Sequence, residues 1–469
     1  MNISHSAFIS PSKFSNKVIE RNGELGITAC EILTAAINAV NPYQCVSDLV
    51  HLKGDHLQVG EEKLNLEQFK RIILIGFGKA SVLMAKAILD ILGDRIDSAK
   101  VITKDDKFLT EIGYHGDLQV RIGDHPVPGQ KSIEATRNLF DELPRFEKQD
   151  LVLVVISGGG SALLTSPVPG IRLEDIQAAT QVLLRCGAEI SEINTIRKHL
   201  DQVKGGQLAR FLYPAQVHSL ILSDVIGDRL DMIASGPTSP DPTTFSDALS
   251  IVDKYQLRDL LPITIVSRLE DGKNGKIPET PKLTDEVFAK VHNHIVGTNL
   301  VACEAAQRCA EKLGYRSMIV SSQITGMTQD VARTFDRMIQ SVIERGDPIK
   351  PSCCLILGGE TTVEVKGRGL GGRNQDLALH MVRRISKLPG VLFISLATDG
   401  EDGPTDAAGA VVDHQVFEES QQINQLDLDE IIQNNDSYRY FQKTGGLIKI
   451  GSTGTNVNDL MMIFIDQDR

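Results

Sequence analysis

Glycine-rich or acidic turns follow strand-like apolar runs six times along this chain. Two of them also carry a single lysine or arginine. Gly369-Leu370-Gly371-Gly372-Arg373-Asn374-Gln375 precedes a stretch that reads as a helix over 376–385. Such a junction offers backbone N–H groups at a helix N-terminus beside a fixed positive charge, which suits a phosphate or a carboxylate. Gly372, Arg373 and Asn374 are its candidate ligands. Gly76-Phe77-Gly78-Lys79-Ala80-Ser81 follows another apolar run. A Walker A loop would need glycine at Ile73, and a dinucleotide fingerprint would need glycine or alanine at Ser81. What remains is a turn where Gly78 lets an anion approach the backbone and Lys79 reaches it. Ser157-Gly158-Gly159-Gly160-Ser161 spends three glycines on one turn. That costs more conformational entropy than a single left-handed residue requires, and it points to close ligand approach.

Carboxylates end three further runs. Ser223-Asp224 and Asp399-Gly400-Glu401-Asp402 offer Asp224 and Asp399 as a general base or as oxygen ligands for Mg²⁺, which shares its coordination with waters and phosphates. The plainer alternative is an N-cap or a solvated turn. Gly358-Gly359-Glu360 adds Glu360. The stretch 194–206 is basic within an acidic protein, with Asn194, Arg197, Lys204 and His199. Arg197 is placed to clamp a carboxylate, with a solvated helix face as the alternative. His199, His292 and His294 read as structural. Gly451-Ser452-Thr453-Gly454-Thr455-Asn456 reads as a flexible polar loop able to close on a ligand. No Gly-x-Ser-x-Gly elbow and no Cys/His cluster occurs, so neither a hydrolase triad nor zinc is supported.

The elements that must position these residues alternate between strand and helix. Apolar runs at 71–75, 100–103, 119–122, 151–156 and 217–222 predict one series of strands. Those at 294–297, 317–321, 353–357, 361–366, 391–397 and 459–465 predict a second. Continuous β-branched runs mean burial on both faces and a parallel sheet. Alternation at 361–365 makes the second sheet mixed. The fold class is therefore α/β: a Rossmann-like, doubly wound parallel-sheet domain at 1–284 and a smaller mixed-sheet α/β domain at 285–469. A hairpin is expected over 48–66. In a doubly wound sheet the first and fourth strands are neighbours, and ligands bind outside their carboxyl ends. Lys79 and Gly158–Ser161 would then flank one crevice.

Composition narrows the partners. The chain has 469 residues and a formal net charge of −12, which argues against nucleic acid. No apolar run is long enough to span a bilayer, and the N-terminus lacks an apolar leader. Seven scattered cysteines without CxxC fit a reduced, cytoplasmic setting. A small-molecule substrate is expected, with no nucleic acid or membrane partner, and a homodimer is the candidate assembly.

Taken in order, these motifs resemble the class II glycerate kinases, with their C-terminal domain of the MOFRL type. The resembling pieces also include Asp124-His125-Pro126-Val127-Pro128, 194–204, 223–241 and 397–409, and they span most of the chain. The resemblance implies ATP-dependent phosphorylation of D-glycerate at its 2-hydroxyl to give 2-phosphoglycerate and ADP. It implies Mg²⁺ and an active site in the cleft between the domains. It places the family's key lysine on Lys79, its arginine on Arg373 and its acidic positions on Asp224 and Asp399. Substrate or phosphate contacts are expected from Gly78, Ser157, Gly158, Gly159, Gly160, Ser161, Asn194, Arg197, Glu360, Gly372 and Asn374. Arg229 departs from the pattern, which there favours an acidic or small polar residue. The alternatives are an NAD(P)H-dependent hydroxypyruvate reductase, a kinase of another small hydroxy acid, and a non-catalytic sensor of sugar acids.

Overall fold

A computed structural model describes residues 9–105, 118–423 and 426–466. The chain divides into two compact units, Pro42–Val296, and Met1–Asn41 with Gly297–Arg469. The boundary read at 284/285 thus differs from the one observed.

In the Pro42–Val296 unit, helix Pro42–Leu49 leads into an antiparallel meander of β1 (Val50–Lys53), β2 (His56–Val59) and β3 (Glu62–Asn65). Its turns fall at Gly54 and Gly60, each with φ of 60°. The expected hairpin is therefore a three-stranded sheet. The main sheet contains β4 (Arg71–Phe77), β5 (Ser98–Thr103), β6 (Leu118–Ile122), β7 (Asp150–Ile156), β8 (Gln216–Leu222) and β9 (Val291–Gly297), in the order β6-β5-β4-β7-β8-β9. That is the doubly wound order 3-2-1-4-5-6. The pairs β4–β5, β5–β6, β4–β7 and β7–β8 are parallel. Burial of every β7 residue and of all β4 residues after Arg71 explains the unbroken apolar runs. Arg71 and Asp150 are register partners at the start of β4 and β7. Their bidentate bonds, 2.8 and 2.6 Å, pin that register. Burial alone would raise the Asp150 carboxyl, but Arg71 and the Glu147 amide hold it below the ordinary range. Residues 294–297, read as the first strand of the second domain, belong to the edge strand β9 of this first sheet.

A helical layer with its own core is inserted around β8. It packs Ile176, Leu183, Ile193 and Ile196 against Phe245, Leu249, Ile265 and Leu269. His199 belongs to it: Nδ1 lies 2.7 Å from the Thr195 carbonyl, Nε2 lies 3.3 Å from Glu279, and the ring packs on Phe245.

The other unit is a mixed sheet of β10 (Arg316–Met327), β11 (Cys353–Thr362), β12 (Val391–Ala397), β13 (Gly409–Asp413), β14 (Leu447–Ile448) and β15 (Asp459–Ile465). The order is β10-β11-β15-β12-β13-β14. Only β10–β11 is parallel. The strand read at 353–357 continues to Thr362, and 363–366, read as part of a further strand, lies outside any strand. Gly358-Gly359-Glu360 lies within β11 and is not a turn. A side chain on Gly359 (φ 147°) would fall 2.1 Å from the Ile324 carbonyl oxygen. Helices Lys17–Arg21 and Gly23–Asn38 belong to this unit. Arg21 pairs with Asp413 and Glu419, and Gly23–Asn38 packs against helix Asn299–Lys312. None of the seven cysteines forms a disulfide. No single helix among the described residues is long and apolar enough to cross a membrane.

One polar cluster in the first unit was not read from the sequence. His218 stacks against His292 and His294, with centroids 4.7 and 5.4 Å apart. His218 Nδ1 lies 3.1 Å from His294 Nε2, and Gln216 and Glu62 flank the group. Burial, with His292 and His294 adding, pushes His218 down to about 3. An unfolded histidine protonates near pH 6.5, so from there down to pH 3 the unfolded chain binds the extra proton. Stability therefore falls as pH falls through that window, by at most about 1.4 kcal/mol per pH unit from this residue. His218→Gln should flatten the dependence between pH 7 and 5 in urea unfolding. Parallel curves for the variant and wild type would contradict this account.

Candidate functional site

Two glycine turns meet at the carboxyl ends of β4 and β7. The Lys79 amide donates to the Gly158 carbonyl at 2.9 Å, the Ser157 amide to the Phe77 carbonyl at 3.2 Å, and the Ala80 amide to Ser157 Oγ at 2.9 Å. Gly78 has φ of 119°, and a side chain there would fall 2.3 Å from Ser157 Oγ. These two turns are adjacent, as the strand order predicts. Ser157 is buried, and its hydroxyl serves the turn. Ser81 stands where a dinucleotide fingerprint needs its third glycine, and it is buried with its hydroxyl donating to the Gly78 carbonyl.

Gly159 (φ 79°) precedes a short helical turn, Gly160–Leu163. A side chain on Gly159 would come within 2.9 Å of the His125 ring and 3.4 Å of Lys79 Cγ. Gly160 packs on Ala234, where a side chain would fall 2.7 Å from Cβ. Lys79, His125 and Gly159 are thus neighbours. Ser161 Oγ lies 2.8 Å from Ser235 Oγ, which donates to Asn194 Oδ1 at 3.1 Å. Asn194 is buried and acts through this chain of hydroxyls. Ala234 and Ser235 hold left-handed φ of 49° and 62°, a conformation that costs a non-glycine residue about 1–2 kcal/mol. The turn read as merely rigid at 235–242 therefore begins in strained backbone that orients the Ser161 hydroxyl.

Below this turn lies a cavity of about 110 Å³, lined by His125, Gly159, Ser161, Thr165, Arg197 and Lys204 among others. Arg197 comes from helix Ile190–His199. Its neighbours on that stretch are matched by carboxylates: Lys198 by Asp231 and Asp241, both at 3.2 Å, and Lys204 by Asp201 at 2.7 Å. Among the described residues no ion pair is formed by Arg197, and burial alone lowers its pKa. Lys204 is held below its ordinary range by burial, with Asp201 opposing and Arg197 adding to the shift. Asp201, Thr165 and His125 were not singled out as ligands in the sequence. The Asp201–Lys204 spacing and the 124–128 motif were the available signals.

Asp224 follows β8, the next strand to β7, at the same edge of the sheet, and is half-buried. Arg229 is mostly exposed and pairs with Asp231, so its departure from the family pattern lies on the surface.

The mixed-sheet unit corrects the reading of 369–375. The helix spans Arg373–Ile385, three residues earlier than expected, and its N-terminus already holds an anion from the protein itself. Asp402 accepts from the Asn374 and Gln375 amides at 3.1 and 2.9 Å, and from both their side chains. Gly372 is required because a side chain would fall 2.3 Å from Asp402, and Gly371 because one would fall 2.1 Å from Ser437 Oγ. Close packing, not anion approach, accounts for these glycines. Asn374 is fully buried and accepts from Ser395 Oγ at 2.6 Å.

Arg373 is likewise committed. It binds Asp459 through Nε at 2.6 Å and Nη2 at 3.0 Å, and Glu360 through Nη1 at 2.5 Å. Burial would lower its pKa, but Asp459 and Glu360 more than offset this. Burial also holds the Asp459 carboxyl above the ordinary range, against the pull of Arg373. Three of five guanidinium donors are used, which leaves Arg373 a partly occupied cation. Asp399 follows β12, half-buried, and accepts from the Glu401 amide at 3.1 Å. The 451–456 loop is not free to close: Thr453 and Thr455 are buried, bonded to the Thr398 and Val40 carbonyls at 2.6 Å.

Among the described residues no three His, Cys, Asp or Glu side chains gather as a preformed metal cage. The donor set still fits Mg²⁺, which uses one or two carboxylates and takes its other ligands from water and phosphate.

Fold and site together define a two-unit α/β protein whose doubly wound unit carries a small polar cavity lined by Arg197, Lys204 and His125. Residues 28–270 match the domain of unknown function DUF4147, and residues 353–459 match the MOFRL family. A glycerate 2-kinase of Pyrococcus horikoshii is 38% identical over 95% of this chain and 98% of its own. A D-glycerate 2-kinase of Thermotoga maritima is 39% identical over 92% and 97%. The crystal structure of a Thermotoga maritima glycerate kinase superposes with a TM-score of 0.79 at 37% identity, covering 93% of this chain and 98% of that one. The chain belongs to the glycerate 2-kinase family.

Removing Arg373 would leave Asp459 buried and unpaired. Arg373→Met should cost about 3–5 kcal/mol in urea unfolding. Adding Asp459→Asn should restore part of that loss. A variant as stable as wild type would show that the pair contributes nothing to the fold.

Proposed function

We propose that this protein phosphorylates D-glycerate at its 2-hydroxyl, using ATP and giving 2-phosphoglycerate and ADP. The observation that carries this reading is the likeness to the Pyrococcus horikoshii and Thermotoga maritima 2-kinases, which runs through both units. The site supports it: Lys79 beside the Gly158–Ser161 turn, with Arg197 lining the cavity below. The same activity excludes neither sheet from a role, and the reductase reading gains nothing from Ser81.

In the proposed reaction the glycerate 2-oxygen attacks the γ-phosphorus of ATP. The bond from phosphorus to the β,γ-bridging oxygen breaks, and ADP leaves. Such transfer depends on positioning and charge neutralisation more than on covalent help from the protein. Lys79 supplies positive charge to the transferred phosphoryl group, and Arg373, through its remaining donors, supplies a second. Asp224 or Asp399 orients the 2-hydroxyl and takes its proton; the other would hold Mg²⁺, whose charge offsets that of the phosphates. Arg197 takes the substrate carboxylate. Seven cysteines without a disulfide fit a cytoplasmic setting, where thiols stay reduced.

A coupled assay tests this directly. ADP release should depend on D-glycerate, and the product should be converted by enolase with no mutase present. Lys79→Met should lower kcat by roughly 10³-fold, the scale of a lost transition-state charge contact, with little change in melting temperature. Turnover in that variant near the wild-type rate would remove Lys79 from the chemistry. Consumption of NAD(P)H on hydroxypyruvate without glycerate-dependent ADP would instead favour the reductase.

A further inference from the structure

The longest strand of the chain is an edge. β10, Arg316–Met327, has 12 residues and ends the mixed sheet, with β11 as its one neighbour among the described strands. The outward N–H and C=O groups of an edge are a template for another strand, and proteins blunt them with short length, charge, proline or bulges. The other edges of the two large sheets follow that rule. β14 has 2 residues, β6 has 5 and carries Arg121, and β9 holds His292 and His294 among its 7. β10 is long, and from Ser317 to Met327 it has neither a charged residue nor a proline.

Its burial points the same way. None of the 12 residues of β10 is buried, whereas every residue of β12, β13 and β15 is. Helices Asn299–Lys312 and Thr328–Arg345 both pack on β10. Ile319, Val320 and Ile324 nevertheless stay half-buried, and Met318 is exposed. A further strand alongside would take these apolar side chains out of water.

The one blunting device β10 does have is placed symmetrically. Its pairing with β11 is regular over 316–319 and again over 324–327, and the register shifts fall between Ile319 and Ser321 and between Ser321 and Ile324. Bulges bend a strand and interrupt its pairing. Here they occupy the middle of the strand and leave two regular arms of equal length. A two-fold axis between Ser321 and Ser322 sets each arm against the opposite arm of an antiparallel copy. Met318 then faces Thr325 of the second copy, both exposed, and Ile319 faces Ile324, both half-buried. Apolar cross-strand pairs of this kind stabilise a sheet. An edge without charge also suits a copy of itself, which brings no opposing charge to bury. At ~3.3 Å per residue the strand spans about 40 Å. With the sheet and one helix layer each about 10 Å thick, the edge offers roughly 800 Å² per chain, the size found in standard stable interfaces.

We propose that β10 is a homodimer interface. Two copies of the chain pair antiparallel through Arg316–Met327 about a two-fold axis, and their mixed sheets become one continuous sheet. The contact is isologous and closes on itself, so it produces a dimer and not a fibre. It stands independently of the kinase reading.

The test is sedimentation velocity on the full-length protein with two double variants. Wild type should be a dimer at micromolar concentration. Met318→Lys with Thr325→Lys places like charges opposite each other twice, and should raise the dimer dissociation constant roughly 10-fold or more. Met318→Lys with Thr325→Glu carries one of the same substitutions but makes both cross-strand pairs complementary, and should restore the dimer. Wild type that is monomeric would overturn the proposal. So would a folded double-lysine variant that dimerises like wild type, or a lysine–glutamate variant as dissociated as the double-lysine one. Hydrogen exchange on wild type gives a second readout that needs no variant, should circular dichroism show either one unfolded. Amides of 316–327 should lose protection when the dimer is diluted to monomer, while those of β12 and β15 keep theirs. Equal protection of 316–327 in monomer and dimer would place the interface elsewhere.

Discussion

Everything in the Pro42–Val296 unit depends on β4 and β7 lying side by side. They are parallel neighbours although roughly 80 residues separate register partners such as Arg71 and Asp150. The pairing is fixed at both ends by different means. At the amino ends it is an ion pair with a fully buried carboxylate. At the carboxyl ends it is a set of turn hydrogen bonds that glycine alone permits, because Gly78 and Ser157 approach within side-chain distance. A slip of register would separate Arg71 from Asp150 and misalign the turns together. The same alignment that builds the core therefore sets the wall of the cavity at Gly159 and Ser161.

The two units treat buried charge differently. In the mixed-sheet unit the internal pairings are nearly complete: Asp402 occupies the helix N-terminus, and Arg373 is shared between Asp459 and Glu360. Such arrangements rigidify, and removing one member exposes the other to a desolvated environment. In the doubly wound unit, Lys198 and Lys204 are matched while Arg197 is not. A half-buried charge without an ion-pair partner is the kind of imbalance a ligand corrects, whereas balanced networks hold shape.

The sequence made the sheets legible where burial is two-sided. The runs 151–156 and 391–397 are nearly the strands observed, and the neighbouring of the first and fourth strands followed from the topology they imply. It failed where the decisive partner is remote. Nothing local to 369–375 says that Asp402 will take the helix amides, or that Ser437 will press against Gly371. Glycine was read as room for a ligand where it was room for another part of the chain. Gly358-Gly359 was read as a turn for the same reason, although the pair continues β11 beside Ile324. Arg197 was found by its basic context, but the residues that make it distinctive, Asp201 and Thr165, become visible only once the fold brings them to Lys204.

The strand order of the mixed sheet bears on the order in which the chain can fold during synthesis. β15 is the last described strand to emerge, yet it lies between β11 and β12 and joins them. Until Asp459–Ile465 leaves the ribosome, β11 and β12 each present an unpaired edge. The helices Lys17–Arg21 and Gly23–Asn38 also wait, for helix Asn299–Lys312 and for Asp413 and Glu419. The Pro42–Val296 unit has no such dependence and can close while the remainder is still being made. The polypeptide thus carries its first-made helices, unsatisfied, across the maturation of an entire other unit, a period in which their apolar faces are natural clients for a chaperone.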